Sequence, residues 1–558
     1  MTQPDPRLVA ALQAHQSGDL LRAAAGYRAL LHVNPAHFEA LQLLAVICQS
    51  QGQAAEALAL ISRAITLDPR QPVLFFNRAL ALAALGRIDE ALLSVDASLR
   101  LARGTPAVRS LRAGLLGQLG RHAESAIEFA TLCAEQPDQR DFAIGHANAL
   151  LQSNQLEAAL QACEQALQRH PASAELLNLR GVVHSRLLQP EAAIAAYRAA
   201  LTLAPDFTLA NANLGRSLMA LQRLGEAIQC FERVIHDDPA DANAHFSRAC
   251  CRLALGELPQ AWAEFEWRRR LPGGIDLTRR FERPRWLGRS SVQGKRLLLC
   301  AEQGYGDAIQ FIRFVPQLEA MGAHVVVELR RPLDPLLRQI STSAEWFPAG
   351  DSPPPHDLVC SMISLGRALA LDWPQISGQA YLRADARCTA LWQERLGLRR
   401  AGRKRIALVW RGNPGHVNDH ERSLSLQALQ PLLALDAEWF SVQKTLTEAD
   451  RAFMARNPHL RSLDDGINGL DDTAAILANV DLLISVDGGV AHLGGALGVP
   501  TWILLPFNTD WRWLQARTDS PWYDSVRLFR QSAPGDWSAV LADVRSMLDA
   551  DPLGQPPG

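Results

Sequence analysis

Through its first half the chain repeats one pattern of small, apolar and polar positions every 34 residues. Prolines close successive units at Pro35, Pro69, Pro137, Pro171, Pro205 and Pro239, each 34 from the next or, across Arg103, twice 34. A small residue lies 24 positions before each mark (Ala11, Ala45, Ala79, Ala113, Ala147, Gly181, Gly215) and another lies 12 before it. An apolar or aromatic residue stands 8 before it: Tyr27, Ile61, Val95, Phe129, Cys163, Tyr197 and Phe231. Small residues at these spacings let two antiparallel helices approach closely, and proline cannot continue the second helix. The period predicts an α superhelical solenoid of about eight units over residues 4–275, the last (Ala249, Ala261, Phe265) degenerate and acting as a cap. A generic helical bundle does not account for so fixed a period.

At Leu271-Pro272-Gly273-Gly274 the helical pattern breaks, and 276–294 reads as an irregular linker. From Lys295 apolar runs of strand length alternate with helical stretches, which predicts a parallel sheet covered by helices. The strand Arg296–Ala301, the turn Glu302-Gln303-Gly304-Tyr305-Gly306-Asp307, a helix over Ala308–Met321 and the strand His324–Leu329 form a βαβ unit. Ile309 holds the place of the third glycine of a dinucleotide fingerprint, which weakens a nicotinamide reading. A Rossmann-like half over 295–390 is thus followed by a second over 404–550, the two facing across a cleft.

The second half centres on Asp481–His492 and the run that follows it. An apolar strand ends in the turn Asp487-Gly488-Gly489, Val490–Leu497 reads as a short helix, and Thr501–Leu505 is the next strand. Such a unit sets the helix N-terminus at the carboxyl edge of the sheet, where its free N–H groups and dipole favour a phosphate. Gly488 and Gly489 allow close approach of the backbone, and His492 lies one turn in on the same face. The plainer reading is that Asp487 caps the helix and His492 is a satisfied core histidine.

Composition narrows the partners. Lys+Arg 56 against Asp+Glu 58 leaves a net charge of −2, so no bulk field points to nucleic acid or to a membrane surface. The nine cysteines, with one adjacent pair (Cys250, Cys251) and no C-x-x-C, argue against a zinc site and fit a reducing compartment. No apolar run reaches the length of a membrane span, and the first residues carry no signal pattern, so a cytoplasmic location is expected.

The 34-residue register resembles tetratricopeptide repeats. Gly306-Asp307, together with Asp487-Gly488-Gly489-x-x-His492-x-x-x-Ala496-Leu497-Gly498-x-Pro500, resembles the ADP-heptose:lipopolysaccharide heptosyltransferases (glycosyltransferase family 9). Trp410-x-Gly412-Asn413-Pro414 and Asn418-Asp419-x-x-Arg422-Ser423 resemble a bacterial subgroup that fuses such repeats to that domain, an architecture similar to O-GlcNAc transferase. The resemblance implies a GT-B fold, a nucleotide-diphosphate-sugar donor as co-substrate, inversion at the anomeric carbon, and neither a metal nor another cofactor. It also implies a protein or peptide acceptor held on the concave face of the repeats. The asparagine expected near the middle of each first helix is present only at Asn77 and Asn213.

Carried onto this sequence, the resemblance makes Asp307 the general base, and Gln303, Gly304, Gly412, Asn413, Arg422, Ser423, Asp487, Gly488, Gly489 and His492 the donor-binding set. Without a metal, charge on the leaving diphosphate falls to helix N-termini and to a cation, here Arg422. Asp307 also suits the cap of a helix starting at Ala308, Trp410 suits the core, and Asp510-Trp511-Arg512-Trp513 suits either an acceptor lid or a packing patch. The alternative to an enzyme is a repeat scaffold whose second half is inert or only senses nucleotide-sugar.

Overall fold

The computed structural model describes residues 5–102, 104–274, 281–302, 304–416 and 418–550. The chain divides into two compact units, residues 1–214 and 215–558.

From Leu20 on, helices of 14 and 13 residues alternate in the first unit, as in Phe38–Ser50 with Ala54–Leu67 and Ala174–Arg186 with Pro190–Leu203. Their contact explains the small-and-aromatic code. A Cβ on Gly181 would lie 2.5 Å from the Tyr197 ring, and one on Gly145 would lie 2.6 Å from Phe129. Every turn between the paired helices bends through a left-handed residue at the same place in the period. Gly18, Gly52, Gly86 and Gly120 take it in the early units, but Asn154 (φ 59°) and Leu188 (φ 58°) in later ones. Glycine enters that region freely, whereas a residue with Cβ is strained there.

The second unit begins with the last repeat helices, Leu224–Asp237, Ala242–Leu255 and Leu258–Phe265. Two sheets follow. The first holds β1 (Arg296–Cys300), β2 (His324–Leu329), β3 (Glu345–Pro348) and β4 (Leu358–Ser361), all parallel, in the order β3-β2-β1-β4. The second holds β5 (Arg405–Val409), β6 (Glu438–Ser441), β7 (Leu460–Ser462), β8 (Leu482–Val486), β9 (Thr501–Leu505), β10 (Asp519–Ser520) and β11 (Tyr523–Arg530). Its order is β10-β11-β9-β8-β5-β6-β7, parallel except for the edge pair β10–β11. Strands β5, β8 and β9 are buried along their whole length, as expected of parallel strands with helices on both faces.

The structure refines the local picture in three places. The helix expected over 308–321 starts earlier, at Tyr305, and is broken into Tyr305–Phe311, Ile312–Phe314 and Val315–Ala320, with Pro316 at the start of the last piece. The described part of the 276–294 stretch is fastened to the first sheet. Trp286 is buried and its backbone N–H donates to the Val359 carbonyl at 2.8 Å, so the segment is tied to β4. The compact division falls inside the helix Thr208–Ala220, because the last repeats are fastened to the first sheet. The Trp262 indole N–H donates to the Leu371 carbonyl at 3.0 Å, and its ring meets Phe311 and Trp511 edge-on. Arg268, buried, is ion-paired to Glu266 at 2.8 Å and to Glu302 at 2.9 Å.

Candidate functional site

Loops at the carboxyl ends of β1, β5, β8 and β9 converge on one cleft of about 690 Å³. Gly304 and Asp307 come from the first sheet, and Gly412, Asn413, Arg422, Asp487, Gly488, Gly489, His492, Asp510 and Arg512 from the second. The carboxyl edge is where side chains and loop backbone escape the helices that cover both faces of a parallel sheet.

Two of the cleft's glycines answer to packing. A Cβ on Gly306 would lie 2.6 Å from His492 Cδ2, so the helices that follow β1 and β8 touch there. One on Gly412 would lie 2.7 Å from Asp419 Oδ1 and 2.8 Å from Arg422 Nε. Gly488 differs: a Cβ there would meet nothing closer than Val486 O at 4.0 Å, and one on Gly489 would meet Tyr305 Cβ at an ordinary 3.5 Å. Open space therefore lies in front of the helix Gly489–Leu497.

Arg422 Nε donates to Asp419 Oδ1 at 3.3 Å, and its side chain forms part of the cleft wall. Ser423 stands behind the wall rather than in it. Its hydroxyl accepts from the Gly412 N–H at 2.9 Å and donates to Asp419 Oδ1 at 2.9 Å, which shapes the loop. Asn413 Oδ1 accepts from the Gly415 N–H at 3.0 Å. Gln303 lies outside the described residues.

Asp307 is not the cap of a helix beginning at Ala308. It is the third residue of Tyr305–Phe311, and its Oδ2 accepts from the Gly304 N–H at 2.7 Å. Its other oxygen is ion-paired with Arg512. The loop after β9 thus enters the cleft, where the sequence left a lid and a packing patch equally open. Trp511 and Trp513 pack into the core, while Arg512 bridges Asp307 and Asp510 and donates through Nε to Gln310 at 2.9 Å. The signal for Asp510 and Arg512 was their place just beyond a buried strand, at the same sheet edge as Asp487.

Burial dominates the titration of these groups. It pushes the Asp487 carboxyl up to about 6, with help from the charge of Asp510. It raises Asp307 as well, against the pull of Arg512. At Asp510 burial acts upward too, but the Arg512 guanidinium and N–H outweigh it and hold that carboxyl below its usual value. His492 is pushed down to about 3 by burial and by Arg512, so its ring is neutral. Its Nδ1 lies 2.9 Å from the Tyr523 hydroxyl and its ring stacks on Trp513. Glu302 is committed elsewhere, to Arg268, Arg269 and Ser361.

Comparison with known proteins settles the first half. A tetratricopeptide-repeat family model matches residues 8–72 and 144–206, and a second matches 49–115 and 189–261. The N-terminal half is a tetratricopeptide-repeat array. The chain is similar to Protein FlbA of Caulobacter vibrioides, 28% identical over 469 residues, covering 77% of this chain and 78% of that protein. It also resembles the TPR repeat-containing thioredoxin TTL4 of Arabidopsis thaliana, 36% identical over 116 residues, which is 21% of this chain and 16% of that protein. Among solved structures it is similar to YrrB, described as a TPR protein with an unusual peptide-binding site (17% identity, TM-score 0.31, 34% of this chain and 97% of that chain). A tetratricopeptide repeat protein from Parabacteroides merdae matches at 17% identity and TM-score 0.37, over 43% of this chain and 96% of that chain. Such repeats are protein-interaction elements. Among the described residues no helix is long and apolar enough to cross a membrane.

Proposed function

We propose that the protein is an inverting glycosyltransferase that moves a sugar from a nucleotide-diphosphate-sugar to a protein acceptor held by the repeats. In this reading the two sheets are the halves of a GT-B fold, and the enzyme works in the cytoplasm, where its nine free cysteines stay reduced. The observation that carries it is the meeting of segments from both sheets on one cleft, where Asp307, Asp487 and Asp510 line the same cavity as Gly488 and Gly489. A leaving diphosphate sits against the N–H groups of the helix Gly489–Leu497, with Arg422 supplying positive charge and neutral His492 one turn along. The first sheet faces the acceptor, and a carboxylate of the cleft takes the hydroxyl proton.

A second reading is favoured by one specific feature: both oxygens of Asp307 are engaged. In that reading the repeats are a scaffold and the cleft senses nucleotide-sugar without turnover. Calorimetric titration of the full chain with ADP, UDP and GDP, then a labelled-sugar release assay with donors of the class that binds, separates the cases. Binding of none of the three overturns both readings of the cleft, and binding without release selects the scaffold.

A further inference from the structure

We propose that Asp510 is the carboxylate that takes the acceptor's proton, and that the acceptor hydroxyl reaches it through a chamber beneath the last repeats. The inference rests on the glycosyl-transfer reading above and names the base and entry route of that same site.

A second cavity, of about 220 Å³, adjoins the cleft. Met219, Cys250, Cys251 and Ala254 of the last repeats form one wall, and the loop from Pro506 to Trp511 forms the other. Asp487 and Asp510 line both cavities, as do His416 and Arg422, so the chamber opens into the cleft at these residues. Its repeat-side wall is mostly apolar and its volume is that of a side chain, not of a glycan chain. This suits an aliphatic hydroxyl on a slender stem, such as a serine or threonine of a peptide lying on the repeats.

Of the two carboxylates at that junction, Asp510 is the more exposed, its side chain 38% open where Asp487 is 9% exposed. Asp307 accepts from the Gly304 N–H at 2.7 Å through one oxygen and is ion-paired with Arg512 through the other; its side chain is 17% exposed. Asp487, just ahead of the helix Gly489–Leu497, is buried at 9% exposure. Asp510 takes both of its bonds, from the Arg512 backbone N–H at 3.0 Å and from Nη1 at 2.9 Å, on Oδ1. No donor among the described residues bonds its Oδ2, and its side chain is 38% exposed. A general base must have an oxygen within reach of the proton it removes, and geometry decides before acidity.

In the step that follows, the acceptor oxygen bonds to the anomeric carbon. The bond from that carbon to the donor's phosphate oxygen breaks, and its electron pair leaves with the nucleotide diphosphate. The hydroxyl proton passes to Asp510 Oδ2 and then to solvent. Asp307 holds Arg512, which in turn orients Asp510.

The test uses the full chain carrying Asp510→Asn or Asp307→Asn. Affinity for ADP, UDP and GDP is measured by calorimetry, and sugar release to water is measured with labelled donors of the class that binds the wild type. Asparagine at 510 keeps the bond to the Arg512 N–H, since it caps as well as aspartate, and an unchanged melting temperature verifies the fold. The expected result is nucleotide affinity near wild type and release lowered roughly 10²–10⁴-fold for Asp510→Asn. For Asp307→Asn the expected loss is at most about tenfold, less than one typical base contribution. Near-normal release by Asp510→Asn, or an equal or greater loss in Asp307→Asn, overturns the assignment. A wild-type chain that binds none of the nucleotides overturns the transfer reading itself, an outcome separate from either.

Discussion

The guanidinium of Arg512, on the loop after β9, is ion-paired with the carboxylate of Asp307, on the helix after β1, so one pair joins the two sheets across the cleft. Arg512 also bonds Asp510 and is 8% exposed as a side chain. Replacing it with methionine leaves two carboxylates near the cleft without their cation. Removing one partner of a buried pair typically costs about 3–5 kcal/mol, and a clear drop in melting temperature is expected. An Arg512→Met chain melting with the wild type would show that water already satisfies both carboxylates.

Two buried groups give the cleft opposing responses to pH. The folded-state pKa of Asp487, about 6, lies above its ordinary 3.8, so the folded chain binds the extra proton and this contribution to stability fades as pH rises through that window. His492 moves the other way, from 6.5 to about 3, so the unfolded chain binds the extra proton and stability is lost as pH falls. Between about pH 4 and 6 the two partly cancel. Relative to wild type, His492→Gln should lose stability as pH rises through this range, and Asp487→Asn should gain it. Melting temperatures across the range read the signs directly, and parallel curves for all three chains would refute both shifts.

Gly488 is the place to block the proposed diphosphate without disturbing the fold. Its φ of −179° is open to any residue, and no atom lies within contact of an added Cβ. Gly488→Val should keep the melting temperature and lower nucleotide affinity by at least about tenfold, or roughly 1.4 kcal/mol. Unchanged affinity in calorimetry would move the nucleotide away from the helix Gly489–Leu497.

Leu188 is 87% exposed and sits at φ 58°, where earlier units of the array place glycine. Nothing buried depends on its side chain, so relief of the backbone strain should dominate. Leu188→Gly is expected to stabilise the repeats by about 0.5–1 kcal/mol, less the entropy that glycine adds to the unfolded chain. Chemical denaturation of the two chains side by side checks the sign.

A fragment beginning at Pro272 should not fold well. It lacks Arg268, which pairs with the buried Glu302, and Trp262, which covers Phe311 and Trp511. A fragment beginning at Pro205 keeps both. The first should be aggregated or show little protection in hydrogen exchange, while the second should give a sharp thermal transition. Equal behaviour of the two would mean that the last repeats are dispensable to the sheets.

The repeat half was legible because its code is local: Gly181 and Tyr197, or Gly145 and Phe129, meet within neighbouring helices, so a fixed spacing in the chain becomes a fixed contact in space. The buried strands β5, β8 and β9 were equally plain, since a strand covered on both faces must be apolar throughout. The sequence also grouped Asp307, Gly412, Arg422, Asp487 and His492, which do line one cleft. What it could not supply was which charge meets which. The pairs Arg512–Asp307 and Arg268–Glu302 join residues 205 and 34 positions apart. No periodicity encodes such pairings, because they depend on how the sheets and the last repeats pack. The same packing put Ser423 behind the wall, tied the segment at Trp286 to β4, and left one oxygen of Asp510 open at the junction of two cavities.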